Sequence, residues 1–148
     1  MLNPKIVEFT LTGNIPSKKN SRINTSDGRS FPSTKFTQWQ ADAITDIRRQ
    51  TRHHFSGHVQ IELILYFGTL GKADTDNKVT SILDMLVEGI FLKDDYWESV
   101  ARTVYEAQYR QNKPGAFVRI TELADDWFGP EYAAAAAKRA KRKSKNRL

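Results

Sequence analysis

Four aspartates at the two ends of one stretch of the sequence could bind a metal ion. Asp74 and Asp76 are separated by one residue, and Asp94 and Asp95 are adjacent. In an extended segment the first two side chains would lie on one face, as two ligands of one cation must. The alternative is a helix N-cap preceded by a surface aspartate. Because clustered carboxylates repel one another, a meeting of all four acids predicts a divalent cation between them.

The residues between the two acidic pairs have the pattern of an amphipathic helix. Apolar residues recur at spacings of three and four, at Val79, Ile82, Leu83, Leu86 and Ile90, which predicts one buried stripe. We expect Asp76 to stand at the helix start and Gly89 to end the helix. After about three turns, the following strand is expected to bring Asp94 and Asp95 back beside Asp74 and Asp76.

The rest of the pattern predicts an α+β fold, in which a mixed four-stranded sheet packs against two helices. Alternating or apolar runs predict strands over residues 5–12, 58–67, 98–109 and 116–122, and a second helix fits from Ser33 or Thr34 to about His54. The polar segment 23–33, which holds Gly and Pro, is predicted to be a mobile loop. We expect residues 1–123 to form one domain and residues 124–148 to form a basic, partly helical or disordered extension.

Composition excludes several classes of protein. The 148 residues include no cysteine, so disulfides, thiolate catalysis and cysteine-based zinc sites are excluded. There is neither an apolar run of membrane-spanning length nor a signal-peptide pattern at the start. We therefore expect a cytoplasmic protein without a membrane partner.

Positive charge is concentrated in two segments. The formal net charge is +6, and the last eleven residues hold seven Lys or Arg and no acid; without these seven charges, residues 1–137 carry −1. A second basic segment follows the first strand. Both could neutralise DNA phosphates, although the C-terminal segment is also typical of a solvated terminus and the segment after the first strand of a plain surface loop. The DNA-binding candidates are Lys18, Lys19, Asn20, Arg22, Lys72, Lys138, Arg139, Lys141, Arg142 and Lys143.

The acidic motifs resemble those of the RusA-type Holliday-junction resolvases. The string D-T-D-N opens a helix, Asp84 lies eight positions after the second aspartate, and L-K-D-D follows at the family spacing without a gap. The early segment I-P-S-K-K-N-S-R is similar to the family's P-P-S-x-N-x-R segment. The resemblance covers about residues 5–123 and leaves the tail unexplained.

This resemblance implies a homodimeric endonuclease that cuts four-way DNA junctions symmetrically with Mg²⁺, for which Mn²⁺ can substitute. By position, the catalytic residues would be Asp74, Asp76 and Asp95, and the metal ligands these three together with Asp94. Asp84 would have a supporting role.

One position departs from the family pattern. Thr80 stands where the family has a lysine, four residues after the second aspartate. Lys78, Lys72 or Lys93 could replace that lysine, and we place Lys78 among the catalytic candidates. The loss of the lysine also leaves open a DNA-binding protein that keeps the fold without cutting, for instance a junction-binding factor. A nuclease for flaps or other branched DNA is a third interpretation.

Overall fold

A mixed sheet of four strands carries the fold in the computed structural model, which describes residues 3–18 and 22–146. The elements are β1 (Ile6–Thr12), β2 (Arg22–Asn24), β3 (Ser30–Pro32), α1 (Thr34–Gln50), β4 (Val59–Phe67), α2 (Thr75–Glu88), β5 (Val100–Tyr109), β6 (Gly115–Glu122) and α3 (Gly129–Asn146). The predicted α+β class, its four main strands and its two packed helices are confirmed.

The strand order of the sheet is β1–β6–β4–β5. β6 pairs antiparallel with β1 and with β4, whereas β4 and β5 are parallel and α2 connects them. Alternate residues of β4 are buried, from Val59 to Leu65, and they share one hydrophobic core with Ile47 of α1 and with Ile82 and Leu86 of α2. Both helices therefore cover the same face of the sheet, and the four-stranded arrangement leaves β5 at an edge.

Helix α1 begins where it was predicted and ends earlier. The Ser33 hydroxyl accepts a hydrogen bond from the backbone N–H of Phe36 at 3.1 Å, which caps the helix. The prediction that the helix continues to His54 is wrong, because α1 ends at Gln50 and Thr51 is extended. The chain leaves the helix so that Phe55 can be buried, where it forms an isolated bridge with Leu92. This contact outweighs the helix propensity of the intervening residues.

The segment predicted to be a mobile loop contains a small hairpin. β2 and β3 pair antiparallel, with Ile23 opposite Phe31. The turn between them includes Gly28, whose φ of 86° is a left-handed conformation that glycine adopts at little cost. The prediction for residues 23–33 is therefore wrong in its secondary structure.

The two ends of α2 differ in detail from the prediction. The helix begins at Thr75 with Asp74 at the N-cap position, so Asp76 lies in the first turn. It ends at Gly89 as predicted, but the reason is close packing rather than a left-handed conformation. A Cβ on Gly89 would lie 2.6 Å from a ring atom of Phe91, and the left-handed residue is Ile90, with a φ of 62°.

Helix α3 lies on the surface and buries none of its residues completely. Two aromatic residues at its start pack against the body of the protein. The Phe128 ring lies 4.9 Å from the His58 ring and 5.1 Å from the Trp97 ring, measured between centroids, and Tyr132 contacts the same two rings. Within residues 3–18 and 22–146, no helix is both long and apolar enough to cross a membrane.

Candidate active site

The first acidic pair occupies the start of α2. Asp74 is extended, with φ −81° and ψ 133°, while Asp76 is helical, so the two carboxylates are not an extended pair. The Asn77 side chain donates to Asp74 Oδ2 at 3.3 Å, and the Asn77 backbone N–H donates to Asp76 Oδ1 at 3.0 Å. Both carboxylates lie near the positive end of the helix dipole, where negative charge is favoured.

The loop that follows β1 lies along α2 and is fixed to it by side chains of the helix. Ser81 is completely buried, and its hydroxyl donates to the Pro16 carbonyl at 2.7 Å and accepts from the Lys18 backbone N–H at 3.2 Å. One turn further along the helix, Lys18 Nζ lies 3.3 Å from Asp84 Oδ2. The helix that carries the acids therefore also positions a basic side chain.

Lys78 contacts the same loop. Its Nζ donates to Asn14 Oδ1 at 3.2 Å and to the Ile15 carbonyl. Burial, and secondarily repulsion from Lys35, lowers the pKa of Lys78. The Lys78 ammonium thus contacts the loop, where it donates to two neutral oxygens.

The second acidic pair lies in a cleft of about 430 Å³. The cleft is lined by Asp84, Glu88, Asp94, Asp95 and Lys18, together with uncharged residues of α1 and α2. The Asp95 backbone N–H donates to Asp94 Oδ1 at 2.8 Å. Partial desolvation, a hydrogen bond with Asp94 and repulsion from Asp94 and Asp84 raise the pKa of Asp95. The charges on four carboxylates and one ammonium leave a formal −3 in this cleft.

The parallel arrangement of β4 and β5 separates the two acidic pairs within one chain. Asp74 follows the C-terminal end of β4, whereas Asp95 precedes the N-terminal end of β5. Because the two strands are parallel, these positions lie at opposite ends of the strands. The 14 residues of α2 between them span about 21 Å. The acids that the structure brings to the cleft of the Asp94–Asp95 pair are Asp84 and Glu88. In the described part of the chain, no three acidic or histidine side chains form a group that could hold a metal ion.

A larger cleft of about 780 Å³ opens at the edge of the sheet where β4 and β5 end. It is lined by Thr75, Lys72, Lys78 and Tyr109 among others, and Thr75 is flanked by Asp74 and Asp76 in the sequence. Ligands of sheets with parallel strands commonly bind at this edge. The first acidic pair is thus next to a basic, partly aromatic cleft.

The remaining DNA-binding candidates have different surroundings. Lys19 and Asn20 lie outside the described residues, and Arg22 begins β2. Lys138, Lys141, Arg142 and Lys143 are exposed on α3. Arg139 forms a two-pronged contact with Glu98, with nitrogen–oxygen distances of 2.8 and 2.7 Å, so its guanidinium is already engaged.

Sequence reasoning missed two residues of this region. Ser81 lies on the buried side of α2 but is polar, and a serine within an apolar stripe could have indicated a partner for its hydroxyl. Glu98 binds Tyr132 and Arg139, whose seven-residue spacing places them on one side of a helix. No sequence signal connects Glu98 with α3, because the two are distant in the chain.

Taken together, the site belongs to an α+β protein in which helix α2 carries carboxylates between two clefts, each of which is also lined by at least one lysine. Comparison with known families identifies the family to which such a protein belongs. The family model for endodeoxyribonuclease RusA matches residues 13–121, so the chain belongs to the RusA endodeoxyribonuclease family. The matched region contains both acidic pairs and ends before α3.

A curated relative is similar to most of the chain. The crossover junction endodeoxyribonuclease RusA of Aquifex aeolicus (strain VF5) is 25% identical over 104 residues, which are 70% of this chain and 81% of the relative. The family to which the chain belongs is therefore one of nucleases.

Proposed function

We propose that the protein is a Mg²⁺-dependent endonuclease that resolves four-way DNA junctions by symmetric nicking, in DNA recombination and repair. The observation that carries the proposal is the row of carboxylates on and after α2 in a chain of the RusA family. The name of the Aquifex aeolicus relative supports a crossover junction as the substrate. The nuclease unit would comprise residues 1–123, and residues 124–148 would be an addition to it.

The donor set fits a hard divalent cation in its chemistry. All candidate ligands are carboxylate oxygens, which Mg²⁺ and Mn²⁺ prefer. The formal −3 charge of the cleft lined by Asp84, Glu88, Asp94, Asp95 and Lys18 and the raised pKa of Asp95 both favour a cation there. We assign the ligands to Asp74, Asp76, Asp94 and Asp95, and when bound the ion supplies Lewis-acid activation of water and of the scissile phosphate.

The side chains of the chain itself orient the DNA. Lys18 reaches the acidic cleft from the loop along α2 and would contact a phosphate there in exchange for Asp84. Lys72 lines the cleft at the other end of α2 and would contact the neighbouring backbone. Lys78 would keep the loop in place through Asn14 and Ile15, so we now propose a positioning role for it in place of a catalytic one.

A homodimer would bring the separated acidic pairs together. β5 is an edge strand, and it exposes Val104, Tyr105 and Tyr109 to 43, 44 and 56%. If two β5 edges pair antiparallel about a two-fold axis, the start of one strand lies beside the end of the other. The Asp94–Asp95 pair of one protomer then lies on the same side of the joined sheet as the Asp74–Asp76 pair of the second protomer. Two such sites would result, one for each strand that a junction needs cut.

Cleavage of a synthetic, end-labelled four-way junction tests the activity. We expect paired nicks with Mg²⁺ or Mn²⁺, none with EDTA, and none in a linear duplex of the same sequence. Asp76→Asn should abolish nicking and leave junction binding intact or tighter, because a charge that repels phosphate is removed. Asp42→Asn, an exposed aspartate of α1, is the matched control and should cut normally. Normal cutting by Asp76→Asn would refute the site assignment.

Mixing two inactive variants tests the shared site. If each site combines acids of two protomers, a heterodimer of Asp76→Asn and Asp95→Asn contains one intact site and one site with both substitutions. The mixture should then regain nicking of a single junction strand, although each variant alone is inactive. If each site belongs to one chain, every site in the mixture carries a substitution and no nicking returns.

A second candidate is a DNA-binding protein of this fold that does not cut. The observation in its favour is Thr80, which is uncharged and whose hydroxyl donates to the Asp76 carbonyl at 2.9 Å. The same junction assay decides between the two. Tight junction binding without nicks under any metal ion would favour the non-cutting protein.

A further inference from the structure

One carboxylate of the body of the protein, that of Glu98, binds two residues of helix α3. Tyr132 donates its hydroxyl to Glu98 Oε2 at 2.7 Å, and the Arg139 guanidinium contacts both Glu98 oxygens at 2.8 and 2.7 Å. The Glu98 side chain is only 16% exposed, and these partners lower its pKa to about 2. Two-pronged pairs of this kind fix orientation as well as distance.

The same segment of the chain carries the second acidic pair. Glu98 follows Asp95 by three residues, and Trp97 packs against Phe128 and Tyr132 of the α3 region. The His58 ring completes the aromatic cluster and contacts the Glu98 carbonyl through Nδ1 at 2.5 Å. The position of α3 is thus fixed relative to the Asp94–Asp95 cleft.

The docked face of α3 leaves a lysine stripe on the opposite face. With 100° per residue, Arg139 lies about 20° from the direction of Tyr132 around the helix axis. Lys138, Lys141 and Lys145 lie within about 60° of the opposite direction, at spacings of three and four, and all are exposed. Residues 132–146 include no acid, and Glu131 in the first turn of α3 is seven residues before Lys138, so no acid of this helix lies three or four residues from the stripe.

We propose that α3 is a second DNA-binding surface, held by Glu98 so that its outward lysine stripe binds the phosphates of a duplex arm next to the acidic cleft. The occupant is double-stranded DNA because the stripe offers exposed cations at regular spacing, with no acidic residue in the helix from residue 132 onward. The inference rests on the proposed function for its substrate. It goes beyond the family match, which ends at residue 121.

Salt-dependent binding tests the stripe without requiring cleavage. The affinity of the full chain for a junction and for a linear duplex is measured in EDTA by fluorescence anisotropy over a NaCl series. For Lys141→Gln with Lys145→Gln, the slope of log affinity against log salt should become less negative by about 1.8. The matched control is Arg49→Gln with Arg52→Gln, two exposed cations at and after the end of α1, which should leave the slope unchanged. An unchanged slope in the α3 variant, as for a surface that serves an acidic protein or solubility, would overturn the proposal.

Glu98→Gln tests whether the attachment matters, because the two interpretations predict opposite signs. This substitution makes the net charge more positive by one, so a loosely attached basic tail would bind DNA equally well or more tightly. If α3 must be held in place, affinity should fall by about threefold to tenfold, and amide exchange over residues 133–146 should become faster. An increase in affinity would refute the held arm. These binding results are independent of the nicking assay, whose failure would count against the nuclease alone.

Discussion

The hydroxyl of Ser81 makes a sharp test of how the loop after β1 is held against the acidic helix. Ser81→Ala removes a donor to the Pro16 carbonyl and an acceptor for the Lys18 N–H, at a position with no exposed surface. Pro16 is itself buried, so its carbonyl would lose a partner where water has little access. An unpaired buried group costs about 1–3 kcal/mol, and we expect a decrease of this size in the free energy of unfolding.

Urea denaturation followed by tryptophan fluorescence measures this change. The midpoint should fall while the slope of the free energy against urea stays constant, since the buried surface of the fold is unchanged. Thr80→Ala, on the residue that precedes Ser81, is the matched control. Its hydroxyl bonds to the backbone of its own helix and is exposed, so the free energy of unfolding should change by less than about 0.5 kcal/mol.

The functional consequence follows from Lys18. When the loop is released from Ser81, the Lys18 ammonium is no longer directed to Asp84, and DNA affinity should fall under conditions where Ser81→Ala remains folded. Equal effects of Ser81→Ala and Thr80→Ala, on both stability and affinity, would show that these two hydrogen bonds do not hold the loop.

Three further substitutions test other parts of the structure. Gly89→Ala should lower the free energy of unfolding by about 1–3 kcal/mol through overpacking. The control is Gly71→Ala, whose added methyl group meets no atom within 4 Å and should change this free energy by less than about 0.5 kcal/mol. Equal urea midpoints for the two variants would contradict the packing at the end of α2. Asp84→Asn removes a repulsion that raises the pKa of Asp95, so this carboxyl should lose its proton at lower pH in a carbon-detected NMR titration, and an unchanged midpoint would separate the two acids. Thr80→Lys should increase junction nicking at saturating Mg²⁺; equal or lower nicking would show that the chain does not need a lysine there.

Much of the fold could be predicted because it depends on local patterns. The alternation in β4 and the helical spacing in α2 each point to one buried face, and both elements occur within a few residues of the predicted bounds. The early end of α1 could not be predicted in this way. It depends on the burial of Phe55 beside Leu92, a contact between segments that are distant in sequence.

The candidate site was less predictable because it depends on strand direction. The pattern of residues 58–109 predicts strand, helix and strand, but it does not say whether the two strands are parallel. With parallel strands the helix runs back along the sheet, and its two ends lie at opposite ends of the strands. The expectation that one chain brings Asp94 beside Asp74 assumed that a helix returns the chain to its starting edge, which an antiparallel pair of strands would have allowed.

Position 80 has no lysine, but Lys18 from the loop after β1 places its ammonium beside the next turn of the same helix. Asp76, Thr80 and Asp84 follow one another at intervals of four residues, so they form a ridge along one side of α2. The loop supplies Lys18 to the last member of this ridge, one turn beyond the uncharged threonine. A positive charge delivered by a loop is worth as much to a phosphate as one delivered by the helix, provided that the loop is held rigidly. The buried Ser81 and the half-buried Lys78 hold it at two points one turn apart. The position of the Lys18 ammonium therefore depends on hydrogen bonds that α2 makes to the loop. In this chain the loop, and not the helix, supplies the positive charge.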